Sequence, residues 1–186
     1  VPDTFAVSEQ YQSFHLFYFY ILKSSLFRRR PYLCTQMHIQ TPKIIHHLFP
    51  QLLWKESVIS KVIYLTFDDG PHPEITPKVL NILADYEAKA SFFCVGDNVQ
   101  KYPETFRQVL HAGHAVGNHT FHHIKGWKTP NDLYFQDVGA CQSLVAATFF
   151  RPPYGKIKLS QIRELKKQFQ LVMWSVISYD YDQKIN

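Results

Sequence analysis

The chain has 186 residues, 46% of them hydrophobic and 16% aromatic, which excludes a disordered polypeptide and predicts a single domain with a sizeable core. Its formal charge of +5 raises the question of a nucleic-acid partner, but the excess is uneven. Residues 1–36 carry Lys23, Arg28, Arg29 and Arg30 against Asp3 and Glu9, so the other 16 basic and 13 acidic residues leave only +3. The one dense basic stretch of that remainder, Lys156 to Lys167, is broken by Glu164 and reads as the solvated face of a helix. No nucleic-acid partner is expected, and a monomer is. Three cysteines, Cys34, Cys94 and Cys141, form no close pair; buried free thiols are predicted for Cys94 and Cys141 rather than a disulfide framework or a Cys-based zinc site.

The first 36 residues differ from the rest. The apolar run Phe14 to Leu22 falls well short of the about 20 residues a membrane-spanning helix needs. Its positive charges, Arg28 to Arg30, follow it instead of preceding it as in a signal peptide. Residues 1–36 are therefore read as an extension outside the native domain, with Met37 as the expected natural start. Residues 37–60 are read as a lead-in, and 61–186 as the domain proper.

From Lys61 onward strand-like and helix-like segments alternate. Lys61 to Phe67 is a predicted strand, and Thr76 to Tyr86 a helix with Val79, Leu80 and Leu83 on one stripe. Ala90 to Val95 is a second strand. Pro103 to Ala112 is a helix closed by Gly113 in a left-handed cap, before a third strand from His114 to Gly117. Thr129 is placed to cap a helix running from Pro130 to about Ala147, followed by a short strand at Phe149 and Phe150. A helix from Leu159 to Phe169 and a fifth strand from Leu171 to Val176 complete the pattern. Such alternation predicts a parallel α/β fold with right-handed crossovers. Five strands are too few to close a barrel, so the C-terminal part of one is expected to be missing.

In parallel barrels the reactive groups lie just beyond the C-terminal ends of the strands. Here Asp68 and Asp69 follow the first strand, His119 and His123 the third, Arg151 the fourth and Asp180 the fifth. Adjacent carboxylates diverge, so one of the Asp68–Asp69 pair is able to bind a metal while the other faces a reacting water; the alternative is a capped turn before Gly70 and Pro71. His119 and His123 are four apart, which brings two imidazoles to one side of a helical turn, and Thr120 is placed to fix the local backbone. With Asp69 they make a carboxylate plus two histidines, a set that suits catalytic zinc with open positions, and His122 is an alternative ligand. Arg151, stiffened by Pro152 and Pro153, is able to orient a carboxylate base or to form a surface salt bridge. The turn at Tyr154 and Gly155 offers a backbone N–H as an oxyanion donor.

These segments, TFDDGP (Thr66 to Pro71), HTFHH (His119 to His123), RPPYG (Arg151 to Gly155) and WSVISYDY (Trp174 to Tyr181), resemble in order and spacing four of the five motifs of the NodB-homology polysaccharide deacetylases, carbohydrate esterase family 4. The resemblance implies a distorted (β/α) barrel and removal of acetyl groups from N-acetylated polysaccharide or oligosaccharide, of the chitin-oligomer or peptidoglycan type. It implies Asp68 as general base, Asp69, His119 and His123 as ligands of a divalent metal, zinc or cobalt, and Arg151 as the residue that positions Asp68. It also implies Asp180 as a tether for Arg151 and the Tyr154 N–H as oxyanion donor. The fourth motif departs from the family at Ile177 and Tyr181, where an aspartate and a tryptophan are usual, which puts substrate preference in doubt. The fifth motif, whose histidine protonates the leaving nitrogen, does not occur before Asn186. The competing reading is accordingly a noncatalytic carbohydrate-binding fragment. A hydrolase of small cyclic amides is disfavoured because the metal residues are present. His46, His47, His72, His111, His114 and Trp127 are left without a catalytic role, although Trp127 is placed to stack on a sugar and His114 sits at a helix end that favours a cation.

Overall fold

A computed structural model describes residues 40–56 and 62–178. The readings made on the Phe14–Leu22 run, Arg28–Arg30, Cys34, Met37, Asp180 and Tyr181 lie outside those residues. Five parallel strands form one sheet in sequence order: β1 (Thr66–Asp68), β2 (Ser91–Cys94), β3 (Ala115–Asn118), β4 (Phe149–Phe150) and β5 (Gln170–Leu171). Helices α2 (Ile75–Asp85), α3 (Gly96–Lys101), α4 (Pro103–His111), α5 (Asn131–Val145) and α6 (Leu159–Leu165) fill the crossovers, and α1 (Lys43–Leu48) precedes the sheet. This is the expected parallel α/β architecture, in accord with a distorted barrel.

Several boundaries differ from expectation. The first strand pairs only from Thr66 and includes Asp68. The fifth is two residues long, where a run to Val176 was predicted, and Val172 and Val176 form only isolated bridges. The helix after Leu159 stops at Leu165. Thr129 does not cap α5: Pro130 occupies the cap position, and the Thr129 hydroxyl donates to the Lys125 carbonyl instead. α1 and α3 escape prediction because six residues are too few for a helical period to show. α3 also runs into α4 across the single non-helical residue Tyr102. Gly113 does close α4's turn, at φ 71°.

The alternation within β2 divides the protein into two faces. Phe92 and Cys94 point outward into a core with Leu80 and Leu83 of α2, Phe106 and Val109 of α4, and Cys141 and Val145 of α5. Cys94 and Cys141 are buried and free, as predicted. Phe93 points the other way, 1% exposed, and needs a glycine beside it. Its register partner is Gly117, where a Cβ would stand 2.4 Å from the Phe93 ring. A second core gathers Tyr134 and Val138 of α5, Phe150, Ile162, Leu165, Phe169 and Leu171.

Leu52 of the lead-in belongs to that second core. Beside it the Leu53 amide donates to the Leu171 carbonyl, and the Leu53 carbonyl accepts from the Met173 amide, both at 2.8 Å. Thr41 adds its amide to the Ser175 carbonyl at 3.0 Å and its hydroxyl to the Trp174 carbonyl at 2.9 Å. The lead-in thereby satisfies the outer edge of β5, which would otherwise present unpaired backbone groups.

His114 is buried between Phe92 and the backbone, and its Nδ1 accepts the Ala90 amide at 3.3 Å. Burial, and then the nearby Lys89 ammonium, hold its pKa below the ordinary histidine value. Burial thus disfavours the charged ring, against the cation that this helix end would favour. Because the folded-state pKa is depressed, its contribution to stability is present above the unfolded value of about 6.5 and is lost as pH falls through the folded value. His114→Gln is expected to flatten the fall in unfolding free energy below about pH 6.5, read from urea titrations across that range; an unchanged slope would refute the assignment.

Candidate active site

Four crossover segments meet above the C-terminal edge of the sheet. Asp68 ends β1, and Asp69 follows in a left-handed conformation, φ 68°. Asparagine and aspartate tolerate that region better than other non-glycine residues. The reversal separates the two carboxylates. Asp68 Oδ1 receives Arg151 Nη1 at 2.6 Å, whereas Asp69 Oδ1 lies 3.0 Å from His123 Nε2 and 3.3 Å from His119 Nε2.

The two histidines do not sit on a helical turn as their spacing implied. Residues 119–123 are an irregular loop with Thr120 at φ 63° and His123 at φ 54°. The loop is built by buried polar groups that the sequence reading missed. Asn118 Oδ1 accepts the Thr120 amide at 2.9 Å while its Nδ2 donates to the Val138 carbonyl of α5 at 2.9 Å. Asp137 of α5 accepts the amides of Phe121 and His122 at 2.8 and 3.0 Å, and pairs with His122 Nδ1 at 2.5 Å. That pairing turns His122 away from Asp69 and leaves His119 and His123 as the histidine partners. Thr120 fixes the backbone as expected, its hydroxyl accepting the Ile124 amide at 3.2 Å. A signal for Asp137 exists only in space, since nothing in the sequence ties α5 to the HTFHH segment. Asp137→Ala is expected to weaken metal binding about ten- to a hundredfold with all three candidate ligands in place, as measured by competition with a chelator.

Asp69, His119 and His123 offer three ligand atoms within 4.8 Å of one another, the one such cluster found among the described residues. Their chemistry fits a divalent cation. His119 is 2% exposed and its Nδ1 is 2.7 Å from the Arg151 carbonyl, which can only accept; Nδ1 therefore carries the proton and Nε2 is left with its lone pair toward Asp69. Two imidazole nitrogens and one carboxylate oxygen form a borderline donor set suited to zinc-like ions.

Arg151 is 2% exposed. Besides Asp68 it donates to Thr66 Oγ1 at 2.8 Å, the Met173 carbonyl at 3.0 Å and the Val172 carbonyl at 3.3 Å, and its guanidinium lies 4.0 Å above the Phe93 ring. Burial pulls its pKa down and Asp68 pushes it back. Tyr154 stands at φ 60° in a short 3₁₀ turn, with its ring 4.6 Å from that of His123. Gly155 follows at φ 65°, where a Cβ would meet Trp174 at 2.8 Å. Asp180 lies outside the described residues. His72 caps α2, its Nδ1 accepting the amides of Glu74 and Ile75 at 3.2 and 3.3 Å. A cavity of about 820 Å³ opens on the inner face of the sheet, and it reaches the site only through Thr66 and Arg151. Asp69, His119 and His123 are not among the residues that line it.

Comparison with known proteins gives the family of the chain. The family described as polysaccharide deacetylase matches residues 55–174. A peptidoglycan-N-acetylglucosamine deacetylase of Bacillus cereus is 37% identical over 126 residues, which is 64% of this chain and 46% of that protein. A chitooligosaccharide deacetylase of Azorhizobium caulinodans is 35% identical over 128 residues, 64% of this chain and 61% of that protein. Among solved structures, PdaA of Bacillus subtilis, a family 4 carbohydrate esterase, superposes with a TM-score of 0.67 at 27% identity, covering 77% of this chain and 65% of that one. The chain thus spans about half to two thirds of the length of these relatives. With the matched segment taking in the strand ends that carry Asp68, Asp69, His119, His123 and Arg151, the chain belongs to the polysaccharide deacetylase family.

Proposed function

We propose that this chain carries the catalytic domain of a metal-dependent hydrolase that removes acetyl groups from N-acetylated polysaccharide or oligosaccharide of the chitin-oligomer or peptidoglycan type. The observation that carries the reading is the convergence of His119 Nε2 and His123 Nε2 on Asp69 Oδ1, beside a second carboxylate, Asp68, held separately by Arg151. Asp69, His119 and His123 would hold the metal, zinc or cobalt. When bound there, it would polarise the acetyl carbonyl and make a nearby water acidic enough to react at neutral pH.

The remaining steps belong to the chain's own groups. Arg151 engages Asp68 Oδ1, which leaves Oδ2 to take the proton of the attacking water. As the water oxygen adds to the carbonyl carbon, the carbonyl oxygen gains charge and the Tyr154 amide donates to it. The C–N bond then breaks as the proton held by Asp68 passes to the leaving nitrogen, and acetate and a free amine result. Asp180 is assigned, from the resemblance alone, to tethering Arg151.

Acetate release from N-acetylglucosamine oligomers, measured with and without added zinc or cobalt, tests the reading. Metal-dependent release that disappears in Asp69→Asn supports it. Release that ignores both chelator and variant sinks the metal role. A chain that binds the oligomers without releasing acetate from N- or O-acetylated substrates would be the noncatalytic carbohydrate-binding protein.

A further inference from the structure

Next to His123, two segments of the rim exchange side chains in a crossed pattern. Lys125, from the segment that follows the HTFHH loop, places its ammonium 4.3 Å over the ring of Tyr154. Lys156, two residues beyond Tyr154, places its ammonium 5.6 Å over the indole of Trp127. The crossing is held from below by buried groups. Gln161, fully buried in α6, donates to the Gly126 carbonyl at 3.1 Å and accepts the Lys158 amide at 2.9 Å. The Trp127 indole N–H is tied to the Ile157 carbonyl at 2.9 Å, yet Trp127 remains 60% exposed and Tyr154 51%.

Among the described residues neither lysine forms an ion pair. The lysine and arginine ion pairs among the described residues are made by Lys101, Arg107, Arg151 and Lys167. Two ammonium groups positioned by aromatic faces, without a carboxylate of their own, give a fixed positive field at the edge of the candidate site. An exposed indole beside them offers an apolar surface to the face of a sugar ring.

We infer that Lys125, Lys156 and Trp127 form a substrate subsite that selects glycans bearing carboxylate groups next to the acetylated sugar, with Trp127 stacking on a ring and the two lysines reading the charge. The assignment rests on the deacetylase reading for its place beside the reacting centre, but it makes a separate claim about binding. Two sources of the carboxylate share this chemistry: a lactyl ether on a hexosamine, as in peptidoglycan strands, and a uronic acid alternating with N-acetylhexosamine.

Equilibrium binding, measured by calorimetry on the full chain, tests it with four probes. They are chitopentaose, a glycan-strand tetrasaccharide with free lactyl carboxylates, the same tetrasaccharide with those carboxylates capped as methyl amides, and a uronic-acid oligosaccharide. The free-carboxylate strand is expected to bind about tenfold more tightly than its capped form at low salt, a preference that shrinks as salt is raised. The ratio should fall to about one in Lys125→Gln/Lys156→Gln, while Trp127→Ala weakens every probe about tenfold and keeps the ratio. Tighter binding of the uronic-acid probe than of the lactyl strand would reassign the source without removing the subsite. Equal affinity for free and capped strands, a ratio that survives in the double lysine variant, or no binding of any probe would overturn the inference. Acetate release from chitopentaose reads the deacetylase proposal independently: release without carboxylate preference sinks the subsite alone, and preference without release sinks the activity alone.

Discussion

Asp69→Asn is expected to lower both metal affinity and metal-dependent acetate release by about a thousandfold or more, because it removes the only charged member of a three-ligand set. Asparagine is the informative replacement. Asp69 sits at φ 68°, a conformation that asparagine tolerates and alanine resists, so the fold is retained while the anionic oxygen is lost. Thermal unfolding gives a reading free of catalysis. Metal at a hundred times its dissociation constant stabilises the wild-type chain by about 2.7 kcal/mol, and the variant should show almost none of that gain. Equal stabilisation of both proteins by zinc would place the metal elsewhere. Loss of activity with metal stabilisation intact would move Asp69 from ligand to another role.

Arg151→Met should cost about 3–5 kcal/mol of unfolding free energy, the range for removing one partner of a buried charge pair. The guanidinium joins Thr66 and Asp68 at β1 to the carbonyls of Val172 and Met173 beyond β5. Methionine fills much of the volume but strands two carbonyls and a partly buried carboxylate. Against a typical total of about 5–15 kcal/mol, that is a large fraction, and urea titration measures it directly. Arg151→Lys should recover part of the stability, since one ammonium reaches some of the four acceptors but lacks the planar fork that reaches them all. If acetate release stays about a hundredfold down in the lysine variant while most of the stability returns, Arg151 acts by orienting Asp68 and not merely by holding the sheet together. Wild-type stability in Arg151→Met would refute the account of its burial.

The strand and helix alternation was legible because buried parallel strands and one-sided helices write strong periods into the chain. Ser91–Cys94 is an example of the first, and α2 with Leu80 and Leu83 inward is an example of the second. The adjacent aspartates, the histidines and the arginine were legible as types placed at strand ends. How they meet was not. The approach of His119 and His123 depends on two left-handed residues and on Asp137, whose partners lie 15 and 16 positions away. Such contacts leave no periodic trace. The short β5 was over-read because Leu171 to Val176 is apolar except for Ser175, yet past the Val172 amide, which still donates to Phe150, the backbone turns to the lead-in and Arg151. The fate of Thr129 shows a related weakness: a capping residue type was present, but a carbonyl four positions back competed for its hydroxyl.

The lead-in's attachment to β5 also orders events during synthesis. The bonds of Thr41 and Leu53 reach partners more than 110 residues later in the chain, at Leu171, Met173, Trp174 and Ser175. While the ribosome is still making α5, residues 40–56 have nothing to close against. Contacts between neighbouring strands and helices therefore form first, and the latch is the last and slowest loop to shut. Leu52 stays exposed in that interval, and β5, once made, keeps an unpaired edge until the latch shuts, so a nascent chain stalled just before Trp174 would present its stickiest surface to chaperones and to other nascent chains.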